Sequence, residues 1–281
     1  MGGTVLVLGA SGHFGHAAAE AFGNAGWDVR RFRRGTDVLA EAAQGADVIV
    51  NGWNPGYTRW AAEIPRQTAE LIAAASLSGA TVLQPLNVYV YGPDAPKVLT
   101  EDTPHRAEND LGIVRIAMEE ALREAGVPVI LLRAGEFLGE KGGWIDQVIL
   151  KPLERGYISY PGPLDVPHAW AYLPDLARVA VALAEKRAEL RKVCEVPFPG
   201  YTLTGAQLAE ALGRALDRPI RAKQMSWLPF RLLSPFVGFA RRLLEMRYLW
   251  DMPHELEGGA LARLLPDYRD TPLEEALRKS V

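Results

Sequence analysis

The most restrictive feature of the sequence is an apolar strand that runs directly into a glycine-rich turn. Residues 4–15 read TVLVLGASGHFG. Gly9 allows a sharp exit from the strand, Gly12 lets a pyrophosphate approach the backbone, and Gly15 lets the next helix pack on the sheet. The Ala-rich segment that follows predicts a helix whose free N–H groups and dipole face the phosphates. Strand, turn and helix together predict a dinucleotide-binding site. Ser11, His13 and Phe14 of the same turn are predicted to contact the cofactor, mainly through the backbone.

Short buried strands alternate with Ala-rich helical segments, which predicts a parallel sheet with crossover helices. The predicted strands are 4–8, 28–33, 47–51, 81–86 and 129–133. Apolar residues at three- and four-residue spacing predict helices over 64–76 and 112–125. Only a dozen residues separate Arg34 from Asp47, so we expect the sheet to be shortened there. The predicted fold class is therefore α/β, a Rossmann-type doubly wound parallel sheet.

The chain is long enough for this domain and a small C-terminal α+β substrate lobe. It has 281 residues, of which 48% are hydrophobic. Clusters of Pro and Gly at 157–167 and 197–200 are typical of segment boundaries. We predict a dinucleotide-binding Rossmann domain over residues 1–135, to which 168–188 return, and a substrate lobe over 136–167 and 189–281.

The overall composition argues against several classes of protein. The net charge is −3 with acidic and basic residues intermixed, so we expect a small-molecule substrate and no nucleic-acid partner. The single Cys194 excludes an internal disulfide framework, and the five histidines lack the spacing of metal ligands, so no metal site is predicted. There is no apolar run of about 20 residues and no space for a signal peptide before the first strand. We therefore expect a cytoplasmic protein without a transmembrane segment.

The basic end of the second strand bears on the choice of cofactor. Residues 30–34 read RRFRR, and no acidic residue stands at the strand end to accept hydrogen bonds from a ribose diol. Guanidinium groups match the 2′-phosphate of NADP in charge and geometry, so we predict NADP rather than NAD, with Arg33 and Arg34 as phosphate ligands. The alternative is a solvated basic strand end, because the arginines alternate between two faces.

Further segments along the whole chain resemble a known superfamily. They read NVYVYG at 87–92, EE at 119–120, LRAG at 132–135, AYLPDLA at 171–177, LPDY at 265–268 and TPLEEAL at 271–277. In their order and spacing, and in the GxxGxxG spacing of the glycine turn, they resemble the short-chain dehydrogenase/reductase superfamily. The closest similarity is to its extended or atypical branch, which contains sugar-nucleotide epimerases and dehydratases. The resemblance implies a Rossmann fold that binds NAD(P). It also implies that Asn51 and Gly52 contact the cofactor ribose and that Glu136 lies near the nicotinamide.

The catalytic positions of that superfamily hold different residues here. The resemblance places the Tyr and Lys of the YxxxK motif at Leu111 and Arg115, and the catalytic Ser or Thr at Asn87. Leu111 cannot supply a proton, whereas Asn87 can orient a carbonyl and Arg115 can hold the nicotinamide ribose. An arginine, with a pKa above about 12, would hardly lower the pKa of a neighbouring phenol. The family's usual Tyr-dependent hydride chemistry is therefore in doubt.

Other residues near the predicted pocket are candidates for the missing proton donor. Tyr89 lies past the strand end where ligands of open α/β sheets bind, and strand alternation places it on the same side as Asn87. We accordingly predict Asn87, Tyr89 and Arg115 as the catalytic residues, although packing is the favoured interpretation for Tyr89 taken by itself. For Tyr91, in a Tyr-Gly turn, packing is the favoured interpretation, and His168 is either an acid/base group or a hydrogen-bonded structural histidine.

Large aromatic residues indicate the character of the substrate. A Gly/Pro loop and its surroundings supply several of them, and as a set they favour a flat or hydrophobic compound over a charged sugar nucleotide. They are Trp53, Tyr57, Trp60, Trp144, Trp170 and Trp227. The favoured interpretation of the apolar and basic stretch 227–248 is packing within the lobe. The alternatives are that it caps the pocket, contacts a partner protein or docks on a membrane surface.

Two classes of function remain open from the sequence. The first is an NAD(P)-binding oxidoreductase or epimerase-like enzyme that acts on a small, partly apolar carbonyl or hydroxyl compound. The second is a noncatalytic NADP-binding redox sensor that acts through a protein partner, favoured by the loss of the catalytic Tyr, Lys and Ser positions. The sequence does not give the oligomeric state; a homodimer is one possibility, because the helices near 64 and 112 occupy positions through which relatives often dimerise.

Overall fold

The computed structural model describes residues 2–139, 143 and 145–281 and contains the predicted alternation of strands and helices. The strands are β1 Thr4–Leu8, β2 Asp28–Arg31, β3 Val48–Asn51, β4 Thr81–Leu86, β5 Val98–Leu99, β6 Val129–Arg133, β7 Glu136–Leu138, β8 Tyr157–Tyr160, β9 His168–Tyr172, β10 Val193–Pro197, β11 Tyr201–Leu203, β12 Arg221–Gln224 and β13 Glu255–Leu256. The helices are α1 His13–Asn24, α2 Leu39–Ala42, α3 Trp60–Ser78, α4 Asp110–Glu124, α5 Leu173–Glu185, α6 Gly205–Ala215, α7 Leu228–Leu233, α8 Gly238–Glu245, α9 Tyr248–Asp251, α10 Gly259–Leu264 and α11 Leu273–Lys279.

The central sheet is parallel and has six strands in the order β10-β6-β4-β3-β1-β2. This arrangement confirms the predicted α/β fold class with its doubly wound sheet. The direction of winding reverses between β1 and β3, which places a crevice at the carboxyl ends of these two strands. The sheet ends at β2, and only the short α2 connects β2 to β3, as the brief spacing from Arg34 to Asp47 predicts.

Helices cover both faces of the sheet because the strands are apolar on both sides. Val5 and Val7 of β1 face the layer formed by α1 and α5. Leu6 and Leu8 of the same strand face the layer that contains α3 and α4. All four side chains are buried, so the sequence TVLVL fits a central parallel strand and no other position in the sheet.

A third apolar cluster forms the core of the smaller lobe. It includes residues of β8 and α6 together with Trp170, Trp227 and Trp250. Here β9 pairs with β7 and β11, and β8 pairs with β12. The range 189–281, predicted as lobe, also includes β10, which pairs with β6 at the edge of the central sheet. No helix in the described part of the chain is long and apolar enough to cross a membrane.

Candidate active site

A cavity of about 660 Å³ opens at the carboxyl ends of β1, β3 and β4, where the strand order reverses. Ten of the residues predicted to form the site line this cavity. They are Ser11, Gly12, His13, Phe14, Asn51, Gly52, Asn87, Tyr89, Arg115 and Glu136. The structure thus brings together, in one cavity, the glycine turn and the candidate catalytic residues.

Close approach between backbone segments explains why glycine stands at positions 9, 15 and 52. Gly9 has φ +66°, and a Cβ on Gly15 would lie 2.2 Å from the carbonyl oxygen of Gly9. A Cβ on Gly52 would lie 2.6 Å from the carbonyl oxygen of Leu8 and 2.9 Å from Cα of Gly15. Gly9 and Gly15 therefore lie behind the turn, where they allow β1, α1 and the end of β3 to meet.

The first turn of α1 is suited to an anion. Gly12 is the N-cap, no side chain caps the helix, and the first turn contains no acidic residue. Since the N-terminal N–H groups of a helix need partners and carry the positive end of its dipole, this end favours a negatively charged group. The turn lines the cavity, so the residues present fit the pyrophosphate of a dinucleotide.

Arg33 and Arg34 lie outside the cavity lining, on the exposed surface after β2. The Arg33 guanidinium lies 3.2 Å from the carboxylate of Asp37, which also accepts the backbone N–H of Arg33. That backbone hydrogen bond is the main cause of the lowered pKa of Asp37. The Arg34 guanidinium lies 5.3 Å from the ring centre of Trp53, which lines the cavity, and 3.9 Å from Glu63. Both arginines thus have a carboxylate neighbour that was not predicted from the sequence, but Arg34 is next to the cavity wall and Arg33 is held by Asp37.

A turn after β4 positions Asn87 and Tyr89 at the cavity. The expected strand alternation is wrong, because β4 ends at Leu86 and Asn87 begins a turn. The Asn87 Oδ1 accepts the backbone N–H of Tyr89 at 3.0 Å, which fixes the turn and leaves the Nδ2 end as a donor. Both residues line the cavity, although the geometry that places them there differs from the one expected.

The hydroxyl groups of Tyr57 and Tyr89 lie 2.9 Å apart in the cavity wall. Tyr57 comes from a short 3₁₀ turn before α3, so the pair joins two separate loops. Burial raises the pKa of Tyr89 well above its usual value, and the neighbouring Tyr57 raises it further. The Tyr89 phenol is therefore protonated at neutral pH and is able to donate a hydrogen bond. From the sequence, Tyr57 is predicted only as one of the aromatic side chains that line the substrate pocket.

Arg115 lies beside this pair without a carboxylate partner among the described residues. Its guanidinium stacks on the ring of Trp60 at 4.0 Å and donates a hydrogen bond of 2.8 Å to Oδ1 of Asn54. Its Nε has no hydrogen-bond partner within the described chain. Burial lowers the pKa of Arg115 to about 10. The side chain lines the cavity as a charge that is only partly compensated.

Asn51 has a defined place at the end of β3. Its Nδ2 donates to Oε1 of Gln84 at 2.7 Å, and its Oδ1 accepts the backbone N–H of Trp53 at 3.3 Å. These bonds orient the Asn51 amide where it borders the cavity. Glu136, the first residue of β7, also borders the cavity.

The two further candidates for acid/base chemistry have different surroundings. Tyr91 is buried next to Arg133, its hydroxyl has no hydrogen-bond partner in the described chain, and it does not line the cavity. His168 lines the cavity and stacks on Trp250 with ring centres 4.4 Å apart. Burial, together with the nearby His254, lowers the pKa of His168 well below its usual value. His168 is therefore a neutral imidazole at physiological pH.

The far wall of the cavity is apolar and is contributed mainly by the 227–250 region. Its members are Trp227, Phe230, Phe239, Leu243, Met246, Leu249 and Trp250. Within the described lining, Arg115 is the only Lys or Arg residue. Trp60 packs against Tyr89 and Trp170 lies in the lobe core, whereas Trp144 lies outside the described residues.

The favoured expectation of lobe packing for 227–248 is only partly correct. Trp227 and Leu243 are buried, but several large apolar side chains of α7 and α8 face solvent. The reason is that the two helices are short and joined by a turn, so one side of the pair contacts the lobe and the other contacts nothing in the described chain.

Below the cavity floor, Arg133 is the centre of a buried ion network. Its guanidinium donates to both carboxylate oxygens of Glu119, at 2.6 and 3.1 Å, and to Glu195 at 2.7 Å. It also donates to the backbone carbonyl of Asn87 at 2.6 Å. Arg123 forms a second ion pair with Glu195. The network therefore connects α4, β6 and β10 to the turn that presents Asn87.

The sheet, the crevice at its reversal point and the uncapped helix after the glycine turn define a Rossmann-type nucleotide-binding protein. A family model extends this conclusion, since the NAD dependent epimerase/dehydratase family model matches residues 5–195. The chain belongs to the NAD-dependent epimerase/dehydratase family. This result confirms the resemblance to the extended branch of the short-chain dehydrogenases.

Individual relatives agree with this assignment. The chain is 26% identical over 240 residues to the epimerase family protein SDR39U1 of Mus musculus, covering 76% of this chain and 81% of the relative. The structure of human SDR39U1 (isoform 2) with NADPH is similar with a TM-score of 0.79 and 19% identity, covering 99% and 98% of the two chains. MoeE5 in complex with UDP-glucose and NAD is similar with a TM-score of 0.74 and 17% identity, covering 99% and 97%. These structural similarities establish the fold.

Proposed function

We propose that the protein is an NADP-dependent oxidoreductase that reduces a small, partly apolar carbonyl compound. The observation that carries the proposal is the pair of tyrosine hydroxyls 2.9 Å apart in a cavity that reaches from the glycine turn to an apolar wall. A dinucleotide on the turn and an apolar substrate at the far wall would share this cavity. The relatives named above include proteins in complex with NADPH and with NAD, so the preference for NADP rests on Arg34 and Arg33.

The glycine turn and the first turn of α1 would hold the pyrophosphate, with Ser11, His13 and Phe14 around it. Arg34, adjacent to Trp53, is the better placed ligand for a 2′-phosphate, and Arg33 would have to leave Asp37 to join it. Asn51 and Glu136 border the remaining path through the cavity. When bound, the nicotinamide supplies the hydride for reduction of a carbonyl carbon.

The substrate oxygen would be bound by donors of this chain. The Nδ2 group of Asn87 and the phenol of Tyr89 can each donate a hydrogen bond to one carbonyl oxygen. Because Tyr89 stays protonated, it suits the reductive direction, in which the substrate oxygen gains negative charge and needs a proton. Tyr57 can return a proton to Tyr89 through their hydrogen bond. Arg115 adds a nearby positive charge in place of the family's lysine.

The cavity lining also restricts the substrate class. A sugar nucleotide carries its own pyrophosphate, and in the described lining Arg115 is the one Lys or Arg residue available to bind it. The apolar far wall instead favours an aromatic or aliphatic carbonyl compound. We therefore place aldehydes, ketones and quinones ahead of sugar nucleotides as substrates.

The test is a titration with NADPH and NADH by fluorescence, followed by NADPH absorbance against a panel of aldehydes, ketones and quinones. We expect tighter binding of NADPH and its consumption with at least one panel member. Tyr89→Phe should then lower kcat by about a hundredfold or more, because proton donation is lost. Tyr91→Phe is the matched control, since that hydroxyl lies outside the cavity lining, and should leave kcat unchanged. Full turnover by Tyr89→Phe would remove Tyr89 from the mechanism.

The second candidate is a noncatalytic NADP-binding redox sensor that acts through a protein partner. Leu111, which stands at the superfamily's tyrosine position, is buried in the core, and this observation favours the sensor. Consumption of bound NADPH distinguishes the two functions, because only the enzyme consumes it. Binding of NADPH without consumption across the panel would favour the sensor.

A further inference from the structure

The outer side of α7, α8 and the turn between them carries a continuous set of exposed apolar side chains, here called the α7–α8 patch. Phe236 at the turn is 87% exposed, and Leu232 is 67% exposed. The other members are Leu228, Leu233, Val237 and Phe239. Large apolar side chains clustered in this way are uncommon on a protein surface unless they contact a partner or a membrane.

The charge around the α7–α8 patch is strongly one-sided. The segment 218–245, which includes both helices, contains six of the 31 Lys and Arg residues of the chain and one of its 34 acidic residues, Glu245. The Glu245 carboxylate already accepts hydrogen bonds from Asn109, Leu111 and Arg242. Arg218 and Arg242 form ion pairs with Glu154 and Asp110 from other elements. Arg231 and Arg241 have no carboxylate partner within 4.0 Å in the described part of the chain. The patch therefore combines exposed apolar groups with unpaired positive charge in a chain that is acidic overall.

We propose that the α7–α8 patch docks on the surface of an anionic lipid bilayer. The two short helices would lie in the interface with Phe236 and Leu232 inserted among the acyl chains. Arg231 and Arg241 would lie at the level of the negatively charged headgroups. Each basic residue near such a surface contributes attraction that falls off within a Debye length, so the contact should weaken at high salt.

The same charges argue against a second copy of the chain as the occupant. A symmetric contact through the α7–α8 patch would place the positive charges of Arg231 and Arg241 on both sides of the contact, and Glu245, the one acidic residue of the two helices, is already bonded to Arg242 and Leu111. An anionic bilayer meets the apolar groups and the positive charges at once.

The α7–α8 patch is also continuous with the cavity. Phe239 is 53% exposed on the patch, lines the cavity and stacks on Tyr57 with an interplanar angle of 14°. Docking through the patch would therefore turn this side of the cavity towards the bilayer. If the proposed function holds, an apolar carbonyl compound dissolved in the membrane would reach Tyr89 along this wall; docking itself requires only the patch.

Vesicle flotation of the full chain tests the proposal. We expect it to float with vesicles of phosphatidylglycerol and phosphatidylcholine in equal parts, and to remain unbound with phosphatidylcholine alone. Leu232→Ser/Phe236→Ser and Arg231→Glu/Arg241→Glu should each lower the apparent partition coefficient about tenfold or more. Leu77→Ser, which alters an exposed leucine of α3, and Arg191→Glu, which alters an exposed arginine away from the patch, should bind like the unmodified chain.

Two results would overturn the proposal. One is an absence of flotation with anionic vesicles, or equal flotation of all five proteins. The other is a dimer in analytical ultracentrifugation that dissociates in Leu232→Ser/Phe236→Ser, which would assign the patch to self-association. NADPH binding by the same variants is measured in parallel. Since neither double variant alters a cavity residue, a failure to bind NADPH in the unmodified chain counts against the proposed function and not against docking.

Discussion

Arg115 and Arg133 are both buried next to the candidate site, but their partners differ in kind. Arg133 is surrounded by the carboxylates of Glu119 and Glu195 and by a backbone carbonyl, and these partners raise its pKa despite burial. Arg115 has an amide and an indole ring, and burial lowers its pKa to about 10. One charge is neutralised within the protein, whereas the other is left partly uncompensated at the cavity wall.

This contrast distinguishes a structural charge from a functional one. A buried charge with a full set of partners contributes to the folded state and cannot be removed alone without leaving its partners unpaired. A buried charge with few partners costs stability, and such groups are concentrated where a ligand or reaction needs them. We therefore expect Arg133 to act as a positioning residue for Asn87 and Arg115 to act on the ligand.

Arg133→Met should have the largest effect on stability. The change leaves Glu119 and Glu195 buried without their main partner, which costs about 3–5 kcal/mol of unfolding free energy. Urea denaturation followed by circular dichroism measures the loss. The variant with Glu119→Gln and Glu195→Gln added should recover part of it, because the unpaired charges are removed. A loss below about 1 kcal/mol in the single variant would show that the network does not hold the fold together.

The stability difference between the unmodified chain and Arg133→Met should shrink in acid. Burial raises the pKa of Glu195, but Arg133 and Arg123 lower it more, so the pKa of this carboxyl is lower in the folded chain than that of an ordinary glutamate. Such a carboxylate stabilises the folded state above its unfolded pKa, and the contribution is lost as pH falls through the folded pKa. Urea unfolding of both proteins from about pH 7 to about pH 3 should show the difference narrowing as the pH falls below about 4.3, the ordinary pKa of a glutamate in the unfolded chain. A difference that stays constant over this range would contradict the role of Glu195.

Arg115→Met should change the free energy of unfolding less than Arg133→Met does, and its main effect should be on NADPH binding or turnover. Removal of a partly compensated buried charge offsets the loss of its stacking on Trp60, so we expect a change within about 1 kcal/mol. NADPH affinity or turnover should fall about tenfold or more. Arg115→Lys, which retains the charge, should retain most of the function. Equal stability losses for Arg115→Met and Arg133→Met would remove the distinction between the two arginines.

The parts of the molecule that were predicted from the sequence are those that depend on local geometry. Thr4–Leu8, Thr81–Leu86 and Val129–Arg133 have the predicted bounds because apolar strands of a parallel sheet end at Gly, Pro or polar residues. The glycines of the turn could also be assigned, since their spacing reflects close backbone approach between β1 and α1.

The parts that were missed depend on contacts between distant segments. Tyr57 and Tyr89 are 32 residues apart and lie on different loops, so no periodicity relates them. The ion network was likewise not visible, although an arginine within the otherwise apolar VILLR is a signal that a buried partner exists. The exposure of α7 and α8 was missed because an apolar stretch is normally assigned to a core.

The shortened sheet also affects how molecules of this protein contact one another at high concentration. Because the sheet stops at β2, an open strand edge is presented to neighbouring molecules, and such edges promote intermolecular strand pairing. The sequence DVRR of β2 places exposed charges of Asp28, Arg30 and Arg31 along that edge. These charges, which continue into the basic segment that ends at Arg34, disfavour strand pairing between molecules at that edge.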